Sequence, residues 1–195
     1  MLLPILLFKT RNCIVLSYVS FYKKIDGKWK GYFTGDRKLF KEREIEHRGF
    51  VFKIKPSFDS TYILKLKSKG SIQIPLRVYS PTEFYKSEVS TNYGFGIFSG
   101  FFIVMIFYNL FVYFSTKNIS FIHYVFFLTS ILLLLMGMNG FGFQYLYPSS
   151  PFLQNRGIPL MGLCVLLAWG FFSNSYLNFK DSMPKLSMVL KFFLY

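Results

Sequence analysis

Two hydrophobic periods divide the chain near Pro81. Beyond that residue, no Asp, Glu, Lys or Arg occurs between Glu88 and Lys117, between Lys117 and Arg156, or between Arg156 and Lys180. Each stretch is dense in Phe, Leu, Ile, Val and Tyr. A bilayer core about 30 Å thick needs about 20 apolar helical residues to cross it. All three stretches therefore predict membrane-spanning helices, at about 93–115, 119–142 and 157–179. The first holds 13 Phe, Ile, Val or Leu residues between Tyr93 and Phe114, together about −4 to −8 kcal/mol of insertion free energy. Ser115–Asn118 reads as a tight polar turn. Gln144–Asn155 reads as a loop in which Pro148 and Pro151 prevent continuous helix. Lys180–Lys185 reads as a second polar turn, and 186–195 as the start of a fourth apolar run. Ser80 or Thr82 is placed to cap a short interfacial helix through Tyr85 and Val89.

Before Pro81 the period is 2. Phe50, Phe52 and Ile54 alternate with Val51, Lys53 and Lys55, and Tyr62, Leu64 and Leu66 with Ile63, Lys65 and Lys67. Ile72, Ile74, Leu76 and Val78 alternate with Gln73, Pro75, Arg77 and Tyr79. Such alternation predicts strands with one apolar face and one basic face. Pro75 cannot donate to a ladder, which places its strand at an edge or a bulge. Asp26-Gly27 predicts a hairpin between Val15–Lys24 and Lys28–Phe33. Thr34–Asp36 and Ser68–Ser71 mark further reversals. The fold class expected is a membrane protein: a partial antiparallel β-sandwich over about 13–80, jelly-roll-like, followed by an α-helical transmembrane region. About five strands are fewer than the seven or eight of a complete sandwich, so the expectation is an incomplete domain over 1–88 and a truncated helical domain over 89–195.

Charge is divided unevenly. Residues 1–92 carry 18 Lys+Arg and 8 Asp+Glu, and residues 93–195 carry 5 and 1, which together make the net +14. Nucleic acid is not the expected partner, because the lysines sit singly along strands and no basic helix, zinc-finger spacing or RNA-recognition signature occurs. Aromatic residues make up 22% of the chain, a content that suits lipid-facing surfaces and interfacial belts. The apolar Met1–Phe8 is followed, not preceded, by Lys9 and Arg11, the reverse of a secretory signal. Cys13 and Cys164 fall in different environments, and His47 and His123 are far apart, so neither a disulfide nor a metal site is expected. No nucleophile, base and orienter can be grouped. Neither an enzyme nor a cofactor is expected.

Several strings resemble the bacterial seven-transmembrane receptors with diverse intracellular signalling modules, the DISM family. They are His47–Phe52, Ile74–Pro81, Phe107–Phe111, Asn139–Pro148 and Asn155–Leu160, and their order and spacing make the likeness specific. The resemblance implies an extracytoplasmic jelly-roll sensor domain similar to carbohydrate-binding modules, seven helices, and a cytoplasmic output domain that this chain does not contain. It also orients the chain in the cytoplasmic membrane, with the strands and the Pro148 loop outside and the Lys117 and Lys180–Lys185 turns inside. Basic residues near the helix ends are close to balanced and do not decide orientation.

The function expected is a non-enzymatic sensory receptor fragment for signal transduction, with the lipid bilayer and a small extracytoplasmic ligand, carbohydrate being the implied class, as partners. Alternatives are an inert or accessory membrane fragment from a disrupted gene, or a small transporter subunit. The last is disfavoured because the helices hold no acidic residue. Candidate residues for helix packing or signalling are Asn109, Gly96, Gly100, Asn139, Gln144 and Arg156. A buried Asn109 calls for a hydrogen bond, usually between helices. Gly96 and Gly100 form a G-x-x-x-G pattern that allows close helix approach, within the chain or in a dimer. Asn139, Gly140, Gly142 and Gln144 read as a C-terminal cap or a binding loop. Arg156 reads as an interfacial anchor or a loop ion pair. Trp29, among Lys28, Lys30, Tyr32 and Phe33, is a strand aromatic for packing or ligand contact.

Overall fold

The computed structural model describes residues 6–10, 18–25, 28–55, 61–67 and 76–177. Its strands are β1 Leu6–Thr10, β2 Tyr18–Ile25, β3 Lys28–Thr34, β4 Val51–Ile54, β5 Tyr62–Lys67 and β6 Leu76–Tyr79. The helices are α1 Pro81–Thr116, α2 Ile119–Met138 and α3 Pro151–Leu177. Cys13, the turns at Asp26-Gly27 and Ser68–Ser71, the segment Ile72–Pro75, the Lys180–Lys185 turn and the run 186–195 lie outside the described residues. The chain forms two compact units, one of Met1–Asn92 with Met136–Gly157, the other of Tyr93–Leu135 with Ile158–Tyr195.

In the first unit the strands make two antiparallel sheets, ordered β4-β1-β6 and β3-β2-β5. Period 2 sorts their side chains. Val19 and Phe21 of β2 pair with Leu66 and Leu64 of β5 and turn inward. They meet Phe52 of β4 in the other sheet and Phe50 just before it, and the Phe21 and Phe52 rings stack at 4.5 Å between centroids. Fully burying a side chain of this size contributes about 1.5–3 kcal/mol, and a stacked pair adds about 0.5–1.5 kcal/mol. The sandwich predicted from alternation is therefore present, with three departures. Leu6–Thr10 is a central strand, although its Leu-rich run shows no alternation and falls before the predicted start at 13. Leu76 and Val78, predicted inward, are about half exposed on the edge strand β6. Lys23, on the inward face of β2, is buried. Its ammonium pairs with Glu44 at 2.7 Å and lies 4.4 Å from the centre of the Tyr32 ring.

The passage from sheet to helix takes one residue. Ser80 caps α1: its Oγ accepts the Glu83 N–H at 3.3 Å, while Glu83 Oε2 accepts the Ser80 N–H at 3.3 Å. This reciprocal pair is a capping box. Pro81 occupies the first helical position, where its missing N–H costs nothing. Tyr79 and Phe84, on either side of the cap, stack edge-on at 6.2 Å and staple the entry. With this start secured, the helix does not stop after Val89. It is continuous for 36 residues, about 54 Å at 1.5 Å per residue, instead of a short interfacial helix and a separate span. The second helix ends at Met138 rather than at 142. Gly140 takes φ 77, the left-handed conformation that stops a helix, and Gly142–Leu146 forms one π-helical turn. The third begins at Pro151 itself, because proline suits a first turn. Pro159, inside α3, removes one backbone hydrogen bond.

All three helices are long and apolar enough to cross a membrane. In the second unit α2 and α3 meet through Ser120 and Ser175, whose hydroxyls lie 2.9 Å apart, and through Phe172 against Tyr124 at 5.0 Å and Phe127 at 6.2 Å.

The cap generates a local prediction. Replacing Ser80 with Ala should cost about 1 kcal/mol in the first turn. Amide exchange at Glu83 and Phe84 is expected to quicken about fivefold, while Ser80→Asp keeps near-native protection. Unchanged protection in Ser80→Ala would show that the entry is held by packing alone.

Candidate functional site

The loop between β3 and β4 carries six basic residues, of which Arg43, His47 and Arg48 build the site, and it has no regular structure of its own beyond a short 3₁₀ turn at Phe40–Glu42. Such a loop must satisfy its backbone by side chains, and Arg43 does this. Its Nη1 donates to the carbonyls of His47 at 2.6 Å and Arg48 at 2.9 Å, and its Nη2 lies 3.5 Å from Asp36 Oδ1. The guanidinium carbon sits 4.8, 4.6 and 5.3 Å from the ring centres of Phe40, Phe50 and Phe143. Planar Arg suits this double role of fork and stacked plate. Burial pulls its pKa down to about 10, against the opposing pull of Asp36. A base whose pKa is lowered on folding binds fewer protons folded than unfolded from about pH 10 up to the ordinary arginine range. This charge thus costs stability at neutral pH, a cost relieved only as pH rises through that window. The hydrogen bonds it makes must offset it.

With the loop fixed, His47 and Arg48 point at the start of α1. Glu88, two turns into the helix and buried, accepts from Arg48 Nη2 at 2.7 Å and contacts His47 Nε2 at 2.8 Å. The Gly49 N–H lies 3.0 Å from His47 Nδ1, and the opposite ring nitrogen, Nε2, faces the carboxylate. Arg48 Nη1 also donates to Asn92 Oδ1 at 2.8 Å, one turn further along. The Phe84 ring contacts the His47 ring edge-on at 5.4 Å.

The same two arginines grip the segment between α2 and α3. The Arg48 guanidinium lies 4.5 Å from the centre of the Phe141 ring. A Cβ on Gly140 would come within 3.1 Å of Arg48 Cβ, so both its left-handed φ and this close approach require glycine. Phe143 meets Phe40 edge-on at 5.5 Å, and the Phe40 N–H donates to the Pro148 carbonyl at 3.3 Å. Tyr147, buried with its phenol against Gly142, has its pKa pushed up by burial. One loop therefore joins the sandwich to the first two turns of α1 and to the α2–α3 segment. The arrangement holds charge and position; among the described residues no His, Cys, Asp and Glu group is placed to hold a metal.

The residues singled out by sequence are dispersed. Asn139 precedes the Gly140 turn, and Gln144 lies in the π-helical turn, its N–H on the Gly140 carbonyl. Asn109 is buried, but its amide donates to the Met105 carbonyl of its own helix at 2.8 Å rather than across to another helix. The side-chain hydrogen bond closes within α1 because Met105 lies one turn back. A Cβ on Gly96 or Gly100 would meet nothing within 4 Å, so among the described residues the pattern makes no close helix contact. Arg156 is exposed with its guanidinium 5.6 Å from the Phe152 ring centre. Trp29 is 49% exposed on β3. Arg43, Arg48 and Glu88 were not among those candidates. A usable signal exists: two of the strings that carry the resemblance, His47–Phe52 and Asn139–Pro148, are brought together here, and Glu88 is the last acidic residue before the first apolar stretch.

Arg43→Lys tests the fork. A lysine cannot serve two carbonyls and Asp36 in one plane, so the full chain in detergent is expected to lose about 2–3 kcal/mol in pulse proteolysis across a urea series. A loss below about 0.5 kcal/mol would assign the loop's order to its aromatic contacts instead.

Comparison with known families gives two matches. Residues 12–80 match the family described as 7TMR-DISM extracellular 2, and residues 91–195 match that described as 7TM diverse intracellular signalling. No curated protein and no solved structure matches the chain. The two regions follow one another in the order of a sensory receptor, an extracellular part and then a transmembrane part. More than half of the chain falls in the second match, and the chain belongs to the family of seven-transmembrane receptors with diverse intracellular signalling modules.

Proposed function

We propose that this chain is the sensing and relay part of a receptor in the cytoplasmic membrane, without an enzymatic step of its own. The sandwich lies outside and binds a small ligand, for which carbohydrate is the class the family resemblance implies. The helices carry the bound state inward to an output domain. The observation that supports relay is the shared seat of Arg48: one side chain contacts Glu88 and Asn92 of α1 and Phe141 of the α2–α3 segment. A ligand that shifts the β3–β4 loop must disturb both, and rigid helices transmit such shifts along their length. Gly96 and Gly100, open on α1, leave room for a second copy of the chain.

Orientation tests this reading. Cys13 and Cys164 are replaced by Ser, and single cysteines are placed at Ser149 and Ser115, both exposed. In intact cells the cysteine at 149 should react with a membrane-impermeant maleimide, and that at 115 only after lysis. The reverse pattern would put the basic sandwich in the cytoplasm and remove the receptor reading.

A further inference from the structure

The outward face of the β3-β2-β5 sheet has a composition unlike a solvated strand surface. Period 2 and the pairing register put Trp29 and Phe33 of β3 on it, then Tyr18, Tyr22 and Lys24 of β2, then Ile63, Lys65 and Lys67 of β5. Trp29 and Phe33 are about half exposed, and both lysines are exposed. Lys24 pairs directly across from Trp29. No acidic residue falls among the described residues of this face. The aromatic part is built rather than incidental. Gly31 lies between Tyr22 and Phe33, and a Cβ there would come within 3.0 Å of the Phe33 ring and 3.2 Å of the Tyr22 ring. Without it the two rings meet edge to face at 5.8 Å, which leaves ring surface presented to solvent.

The face is also graded. Aromatic rings dominate its β3 side and ammonium groups its β5 side; Lys65 stands level with Phe33, two strand spacings or about 10 Å away, and Trp29 lies four residues or about 13 Å further along β3. A bilayer surface would meet both sides at one depth and make no use of that gradient. A neutral sugar would use the rings and leave the lysines idle. We propose that this face is the ligand site of the receptor, and that it takes an elongated anion with more than one ring, its rings stacked along Trp29 and Phe33 and its negative charge on Lys65 and Lys67. The inference rests on the receptor reading for its biological sense, but not for its chemistry. An acidic oligosaccharide and an aromatic acid both present that chemistry.

The test uses the full chain in nanodiscs of zwitterionic lipid, with Trp169→Phe so that Trp29 is the sole fluorophore of its kind. The probes are trigalacturonate, biphenyl-4,4′-dicarboxylate and neutral galactotriose, with inorganic tripolyphosphate as a charge control. Expected is saturable perturbation of Trp29 by at least one ring-bearing acid, with galactotriose and tripolyphosphate each binding at least tenfold more weakly. Which acid binds identifies the source. Trp29→Ala, followed by calorimetry, should weaken that acid at least tenfold. Lys65→Gln with Lys67→Gln should bring it to within twofold of its neutral counterpart and flatten its salt dependence. Both sites are exposed, and unchanged circular dichroism checks the fold. Equal binding of galactotriose, equal binding of tripolyphosphate, binding that survives both sets of changes, or no binding of either acid overturns the proposal. The maleimide pattern decides the receptor reading separately, so the two fail distinguishably.

Discussion

One carboxylate shared by two basic side chains sets the rest of this structure. Glu88 stands two turns into a helix whose later turns are apolar enough for a membrane, and His47 and Arg48 reach it from a loop about forty residues earlier. Helix α1 is stiff, its start is fixed by the Ser80–Glu83 box, and only one residue separates it from β6. Within the first unit a single residue connects the sandwich to the start of α1, and the Glu88 seat ties the β3–β4 loop to those first turns. Arg43 makes that possible by holding the carbonyls that would otherwise leave the loop unsatisfied.

Such an arrangement is poor at adding stability and good at specifying position. Buried ion pairs lose on desolvation about what they gain by attraction, while leaving one partner alone is costly. Lys23 with Glu44, Arg43 with Asp36, and Arg48 with Glu88 each follow that pattern. The stabilising work lies elsewhere, in Phe21, Phe52, Phe50 and Val19. A division of this kind suits a relay, since a polar contact with small net free energy can be shifted by a ligand, and a packed core cannot.

Much of the fold was legible. A bilayer forbids unpaired charge, so the charge-free stretches located the three helices, and alternation located most strands. Their ends were less so, because Pro81 and Pro151 start helices that a general rule about proline would break, and Gly140 ends one early. Leu6–Thr10 was missed because a run of leucines has no period to read. The coupling site was hidden for a different reason. Arg43, Arg48, Glu88 and Phe141 lie far apart in sequence, and nothing in any one of them announces the others. Asn109 and the Gly96–Gly100 pattern stood out as local signals do; among the described residues Asn109 bonds to Met105 of its own helix and the two glycines face open space.

The account turns on whether Glu88 and Arg48 act as a unit. A double-mutant cycle of Glu88→Gln and Arg48→Gln, read as unfolding free energy of the full chain in nanodiscs, measures that directly. Charge-assisted hydrogen bonds in a buried seat predict a coupling of about 1.5–3 kcal/mol. Additivity within about 0.5 kcal/mol would make the contact an ordinary exposed ion pair and contradict a relay through α1.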